Sequence, residues 1–163
     1  MGLDMWLEKR HYVTNYSYEN SDTYSTVILK NGELYKNINC DNIQCVAERV
    51  ARWRKANAIH NWFVNNVQNG EDDCKEYWVG KTQLESLLNV CKQAKTILEG
   101  VSENRIAEVQ NILPTLAGFF FGSTDIDDWY LDDLKYTIDT IEKSFANDND
   151  NNTSVEYYYS SSW

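Results

Sequence analysis

Two polar side chains, Asn57 and His60, interrupt the largely apolar run Trp53-Arg54-Lys55-Ala56-Asn57-Ala58-Ile59-His60-Asn61-Trp62-Phe63. Spaced three apart, they share one helical face with the aliphatic and aromatic residues around them. A buried amide or imidazole left unpaired costs about 1–3 kcal/mol, so each needs a definite partner. Either both are satisfied inside the core, or both line a polar pocket and contact a ligand. An imidazole beside a carboxylate is also what a general base needs, and Asp72, Asp73 and Glu76 follow in the next polar loop. No nucleophile stands in a recognisable motif near them. A hydrolase or transferase built on His60 therefore has an acid–base pair and no partner for it.

Other chemistry is more sharply bounded. Asp125-Ile126-Asp127-Asp128 offers oxygen ligands, but a calcium loop begun at Asp125 needs Gly at its sixth position and Glu at its twelfth. Those positions hold Tyr130 and Tyr136, and carboxylates at a helix start explain the cluster without a metal. Cys40 and Cys45 form one close pair, whereas Cys74, Cys91, His11 and His60 supply no second one, so a zinc site is not expected and free thiols are. Glycine-rich phosphate loops are missing, and no cofactor is expected. The cations Arg49, Arg52, Arg54 and Lys55 form the one basic cluster, small for a nucleic-acid site and opposed by the overall charge.

The elements that position these residues can be read from periodicity. Leu3, Met5 and Leu7 alternate with Asp4, Trp6 and Glu8, which predicts an N-terminal strand over 3–13. Residues 14–25 read as a polar loop. Two short strands flank Asn31-Gly32, predicting a hairpin with a type I′ turn. A long helix is expected over 43–67, capped by Asp41 or Asn42, with Ile43, Val46, Val50, Trp53, Asn57, His60, Val64 and Val67 as its inner stripe. A short strand at Tyr77-Trp78-Val79 precedes a second helix, begun by a Thr82/Glu85 capping box and running to Gly100. A third helix runs from Arg105 to Leu113 and closes at Pro114. Gly118-Phe119-Phe120-Phe121-Gly122 reads as a buried strand. The last helix, capped by Ser123, Thr124 or Asp125, continues to about Ala146 with Tyr130, Leu134, Ile138, Ile141 and Phe145 inward. A polar linker over 147–154 leads to a C-terminal strand. The expected fold is α+β in a single domain over 1–163: a small, mostly antiparallel sheet made of the N-terminal strand, the Asn-Gly hairpin, the Phe-rich strand and the C-terminal strand, with three or four helices.

The 163 residues carry a net charge of −10 and 13% aromatic side chains. The charge is uneven: −2 over residues 1–122 and −8 over 123–163. That field disfavours direct contact with nucleic acid or anionic lipid and suits a basic host protein, as an acidic nucleic-acid mimic would. No apolar run is long enough to span a membrane, and without a basic segment followed by an apolar one at the start, secretion by a standard signal is not expected.

Met-Gly-Leu-Asp-Met-Trp-Leu-Glu-Lys-Arg at the start, Trp-Arg-Lys-Ala-Asn-Ala-Ile-His-Asn-Trp-Phe-Val in the middle, Gly-Phe-Phe-Phe-Gly-Ser, and Tyr-Tyr-Tyr-Ser-Ser-Ser-Trp at the end together resemble a family of small uncharacterised proteins encoded by bacteriophages and prophages. The matching positions include Asp4, Lys55, Asn57, His60, Trp62, Phe121 and the terminal aromatics. The resemblance implies a setting, the host bacterial cytoplasm during phage growth, and no mechanism. Taken with the polar break in the helical stripe, it favours a non-enzymatic accessory protein. Lys55, Asn57, His60, Asp73 and Glu76 are then expected to line a pocket closed by tail aromatics such as Tyr158. A small polar or nucleotide-like molecule suits that mixture, because aromatic faces stack on bases while Lys and Asn reach polar edges.

Overall fold

Alternation at the N-terminus sets the centre of the fold. The computed structural model describes residues 2–13, 25–146 and 154–163. Strand β1, Asp4–Tyr12, buries Met5, Leu7 and Lys9 and turns Asp4, Trp6, Glu8 and Arg10 to the other face. It pairs on one side with β2, Cys45–Arg54, and on the other with β4, Ser154–Ser162. β3, Tyr77–Val79, completes an antiparallel sheet ordered β2-β1-β4-β3. The four described helices are α1 (Asn57–Asn66), α2 (Lys81–Glu99), α3 (Arg105–Ile112) and α4 (Asp128–Ala146).

The core lies between the buried sheet face and these helices. Phe63 of α1 stacks on Tyr159 of β4 at 3.9 Å, 8° from parallel. The Trp53 indole donates to Thr137 Oγ1 of α4 at 2.9 Å. Lys9 is 1% exposed and donates to the Ser144 carbonyl near the end of α4. Its alkyl stem fills the core while its ammonium reaches helix carbonyls, where a cation is favoured. Leu84, Leu87, Leu88, Cys91 and Ala94 form the buried stripe of α2, which packs against α4. None of the described helices is long and apolar enough to cross a membrane.

The α+β class, the antiparallel sheet, both terminal strands and the short strand at Tyr77–Val79 match the sequence reading, but β2 stands in the sheet where the Asn-Gly hairpin and the Phe-rich strand were expected. The helix expected over 43–67 is β2 followed by α1. Leu7 pairs with Ala51 and Glu8 with Arg49, leaving Val50 as a bulge. The extra residue moves the set that shares the face of Leu7 and Lys9 from Val46 and Glu48, both exposed, to the buried Ala51 and Trp53, so Val46, Val50 and Trp53 acquire helical spacing by accident. The expected cap is a one-turn 3₁₀ helix, Cys40–Asn42, where Asn39 accepts from the Asp41 N–H.

The Asn-Gly segment makes an isolated bridge, Ile28 to Leu34, outside the sheet. Its turn is not type I′: Leu29 accepts from the Gly32 N–H and donates to Glu33, and Gly32 alone has positive φ, at 86°. This is the three-residue loop with a glycine in the left-handed region. Gly118–Phe121 is also a turn, closed by the Phe121 N–H on the Gly118 carbonyl. Phe121 folds back so closely that a Cβ at residue 118 would lie 2.6 Å from its ring. Phe119 is 95% exposed, so this is no buried strand. α2 starts two residues earlier than expected, capped at Gly80 with Gln83 Oε1 accepting from the Gly80 N–H in place of the Thr82/Glu85 pair. α4 starts later, capped by Asp127, whose Oδ1 accepts from the Trp129 and Tyr130 N–H groups. The polar segments expected at 14–25 and 147–154 lie outside the described residues, apart from Ser25 and from Ser154, which opens β4.

Candidate functional site

The change of direction from β2 into α1 creates the site. Lys55 ends the strand with φ of 60°, an uncommon conformation for a residue with a side chain. Its N–H bonds the Leu3 carbonyl, and its own carbonyl accepts from Asn57, closing a tight turn at Ala56 (φ −75°, ψ 68°). α1 starts immediately afterwards with no side-chain cap and no acidic residue in its first turn.

Asn57 is 4% exposed and holds the 113–123 segment in place. Its Nδ2 donates to the carbonyls of Phe121 (3.1 Å) and Ser123 (2.7 Å), and its Oδ1 accepts from Leu116 N–H (3.2 Å). The Tyr130 hydroxyl fixes the same segment through the Leu113 carbonyl. Between this segment, the β2–α1 turn and the first half of α4 lies a cavity of about 350 Å³, at the small end of the usual ligand range.

Its walls differ in charge. Arg54, Lys55, Asn57 and Ala58 line one side; Trp129, Tyr130, Asp133 and Leu134 of α4 line another, with Asp125 and Asp127 near the helix start. Asp125 accepts from the Ser123 hydroxyl and Asp127 caps α4. Arg54, Lys55 and Asp133 have no side-chain hydrogen bond or ion pair among the described residues. Burial, reinforced by Asp132 and Asp127, pushes the Asp133 carboxyl up to about 7. Trp129 is 80% exposed and free to stack.

His60 belongs elsewhere. Its ring is fully buried, with Nδ1 2.7 Å from the Tyr159 hydroxyl and Nε2 2.9 Å from Asp72 Oδ2. Asp72 Oδ1 also accepts from the Trp163 indole. Phe121 meets the His60 ring edge-on at 5.1 Å and the Trp163 ring at 5.8 Å. The relay Tyr159–His60–Asp72–Trp163 ties the C-terminal strand to α1 and the loop after it. Both imidazole nitrogens are engaged, so His60 reaches no substrate in this arrangement.

The remaining expected residues lie outside the cavity, with Glu76 and Tyr158 meeting on Arg10. Asp73 accepts from Tyr77 Oη and sits 2.6 Å from Lys75 Nζ, whose hydrogen bond holds its carboxyl below the usual range. Glu76 pairs with Arg10 at 2.6 Å. Arg10 lies 4.0 Å over the Tyr158 ring, and Tyr158 donates to Glu156 at 2.6 Å, which draws the Glu156 carboxyl down. Of the six expected residues, only Lys55 and Asn57 line the cavity. Arg54, which the sequence marks only as one of the basic cluster, joins them from the end of β2, and Trp129 and Asp133 join them from α4, which reads from sequence as an ordinary amphipathic helix. The alternation of Tyr157 and Tyr159 was the available signal that Tyr159 points inward.

Among the described residues, no cluster of His, Cys, Asp and Glu is arranged to hold a metal. Comparisons with protein-family models, curated proteins and solved structures find no match for this chain.

Proposed function

We propose that this chain is a non-enzymatic accessory protein of a bacteriophage or prophage, acting in the host cytoplasm, and that it binds a small polar ligand in the cavity between the β2–α1 turn and α4. The observation that carries the binding role is the cavity's set of unpaired charges. Arg54 and Lys55 on one side and Asp133 on the other make no ion pairs among the described residues, beside an exposed indole. Charges that line one space without pairing are available to a ligand bearing both an anionic and a hydrogen-donating group. The phage setting rests on the resemblance of the sequence segments quoted above.

The acidic-mimic alternative has less support, because part of the negative charge on α4 is already paired. Lys135 meets Asp132, Lys143 meets Asp139, and Lys92 of α2 meets Glu142. Thermal shift against nucleotides, amino acids, sugar phosphates and polyamines tests the binding role. A ligand that binds only the folded state raises the melting temperature by an amount that grows with the logarithm of one plus the ratio of free ligand to Kd. At least one compound should do so, and the shift should vanish in an Arg54→Ala/Lys55→Ala variant whose unliganded melting is unchanged. Shifts that persist in that variant would place binding elsewhere.

A further inference from the structure

The chemistry around the cavity narrows the ligand further, on the premise that the cavity is a binding site. Two cations, Arg54 and Lys55, share the cavity wall with the start of α1, which has no side-chain cap and whose residues Asn57 and Ala58 line the same space. Cations there, reinforced by the positive end of a helix, suit an anionic group. Trp129 adds a large π surface open to solvent, which suits a flat heterocycle. Asp133, half-buried beside Leu134 and Tyr130, offers an acceptor with no protein donor.

A polyamine would meet Asp133 and Trp129 but be repelled by Arg54 and Lys55. A sugar phosphate could reach Arg54, Lys55 and Asp133 but brings no flat π face to the exposed indole. A dinucleotide is too large for about 350 Å³, and each added phosphate brings negative charge towards Asp125 and Asp127. We infer that the ligand is a nucleoside monophosphate whose base carries an exocyclic amine. Arg54 and Lys55 hold the phosphate, Trp129 stacks on the base, and the amine donates to Asp133.

Calorimetric titration of the full chain with AMP, CMP, GMP, UMP and adenosine tests this. At least one amine-bearing monophosphate should bind, with UMP and adenosine each about tenfold weaker or worse. Trp129→Ala should weaken binding about tenfold without altering the fold seen by circular dichroism. Asp133→Asn should narrow the preference for CMP over UMP, since a side-chain amide can turn its N–H towards the uracil carbonyl; a merely structural role for Asp133 would not change that ratio. Arg54→Ala/Lys55→Ala should narrow the gap between AMP and adenosine.

If an amino acid or polyamine binds in a Trp129- and Arg54-dependent way while no monophosphate gives heat at millimolar concentration, the nucleotide assignment falls and the binding site stands. If monophosphates bind all variants equally, or no compound binds at all, both readings fall.

Discussion

Asp133 keeps a carboxyl where burial and two neighbouring aspartates disfavour its charge. In the unfolded chain it ionises near 3.8, and in the folded protein at about 7. Between these values the folded state retains a proton that the unfolded state has lost. Its contribution to stability is therefore full below pH 3.8 and is lost as pH rises through about 7. Asp133→Asn removes that dependence. Wild type and variant should melt together near pH 3.8, and the variant should melt a few degrees higher once the pH is well above 7; solvent at the half-buried carboxyl keeps the difference small. An equal gap at both ends of a scanning-calorimetry pH series would contradict this. His60 has the opposite character, since it is buried and doubly bonded. His60→Ala leaves the Tyr159 hydroxyl without its partner and opens a cavity, at a cost of about 3 kcal/mol or more, read as a lower urea midpoint with an unchanged slope.

Asn57 links α1 to the segment that walls the cavity, bonding the backbone of Leu116, Phe121 and Ser123. Asn57→Ala strands three backbone groups, and urea titration should show a loss of about 2–3 kcal/mol. Trp129→Ala, on the open rim of α4, should change stability by no more than about 0.5 kcal/mol. The elements differ in how well the sequence announces them. β1, β4, α2 and α3 follow clean periods of two or of three and four. β2 does not, because the bulge at Val50 shifts its inward phase and its Ala, Glu and Arg content suits a helix. Pairing with β1 across nine residues outweighs that preference. The Phe-rich turn misled for a different reason: apolar content does not report exposure, and only Phe121 of the three aromatics is buried. The polar break at Asn57 and His60 did mark two constrained positions. It did not show that one lies at a cavity and the other inside a hydrogen-bonded relay, since that depends on segments more than 50 residues away.

At the scale of the whole molecule, the two chain ends lie side by side in the middle of the sheet. β4 is an interior strand, flanked by β1 and β3, and it supplies Tyr157 and Tyr159 to the core. Removing residues 154–163 leaves β3 without the one sheet neighbour it has among the described residues, and His60 without Tyr159, so the truncated chain should lose cooperative unfolding by circular dichroism. The net charge of −10 is concentrated towards the end of the sequence, where α4 pairs part of it with lysines. The cavity beside that helix nevertheless presents two unpaired cations, so the overall charge does not decide what binds there. The most direct test of the binding role is native mass spectrometry of the full chain purified from the cells that express it, beside Arg54→Ala/Lys55→Ala and Trp129→Ala variants. The wild-type protein should carry a bound small molecule that both variants lose while remaining folded; a wild-type protein of bare chain mass, or a molecule that both variants retain, would overturn the binding role.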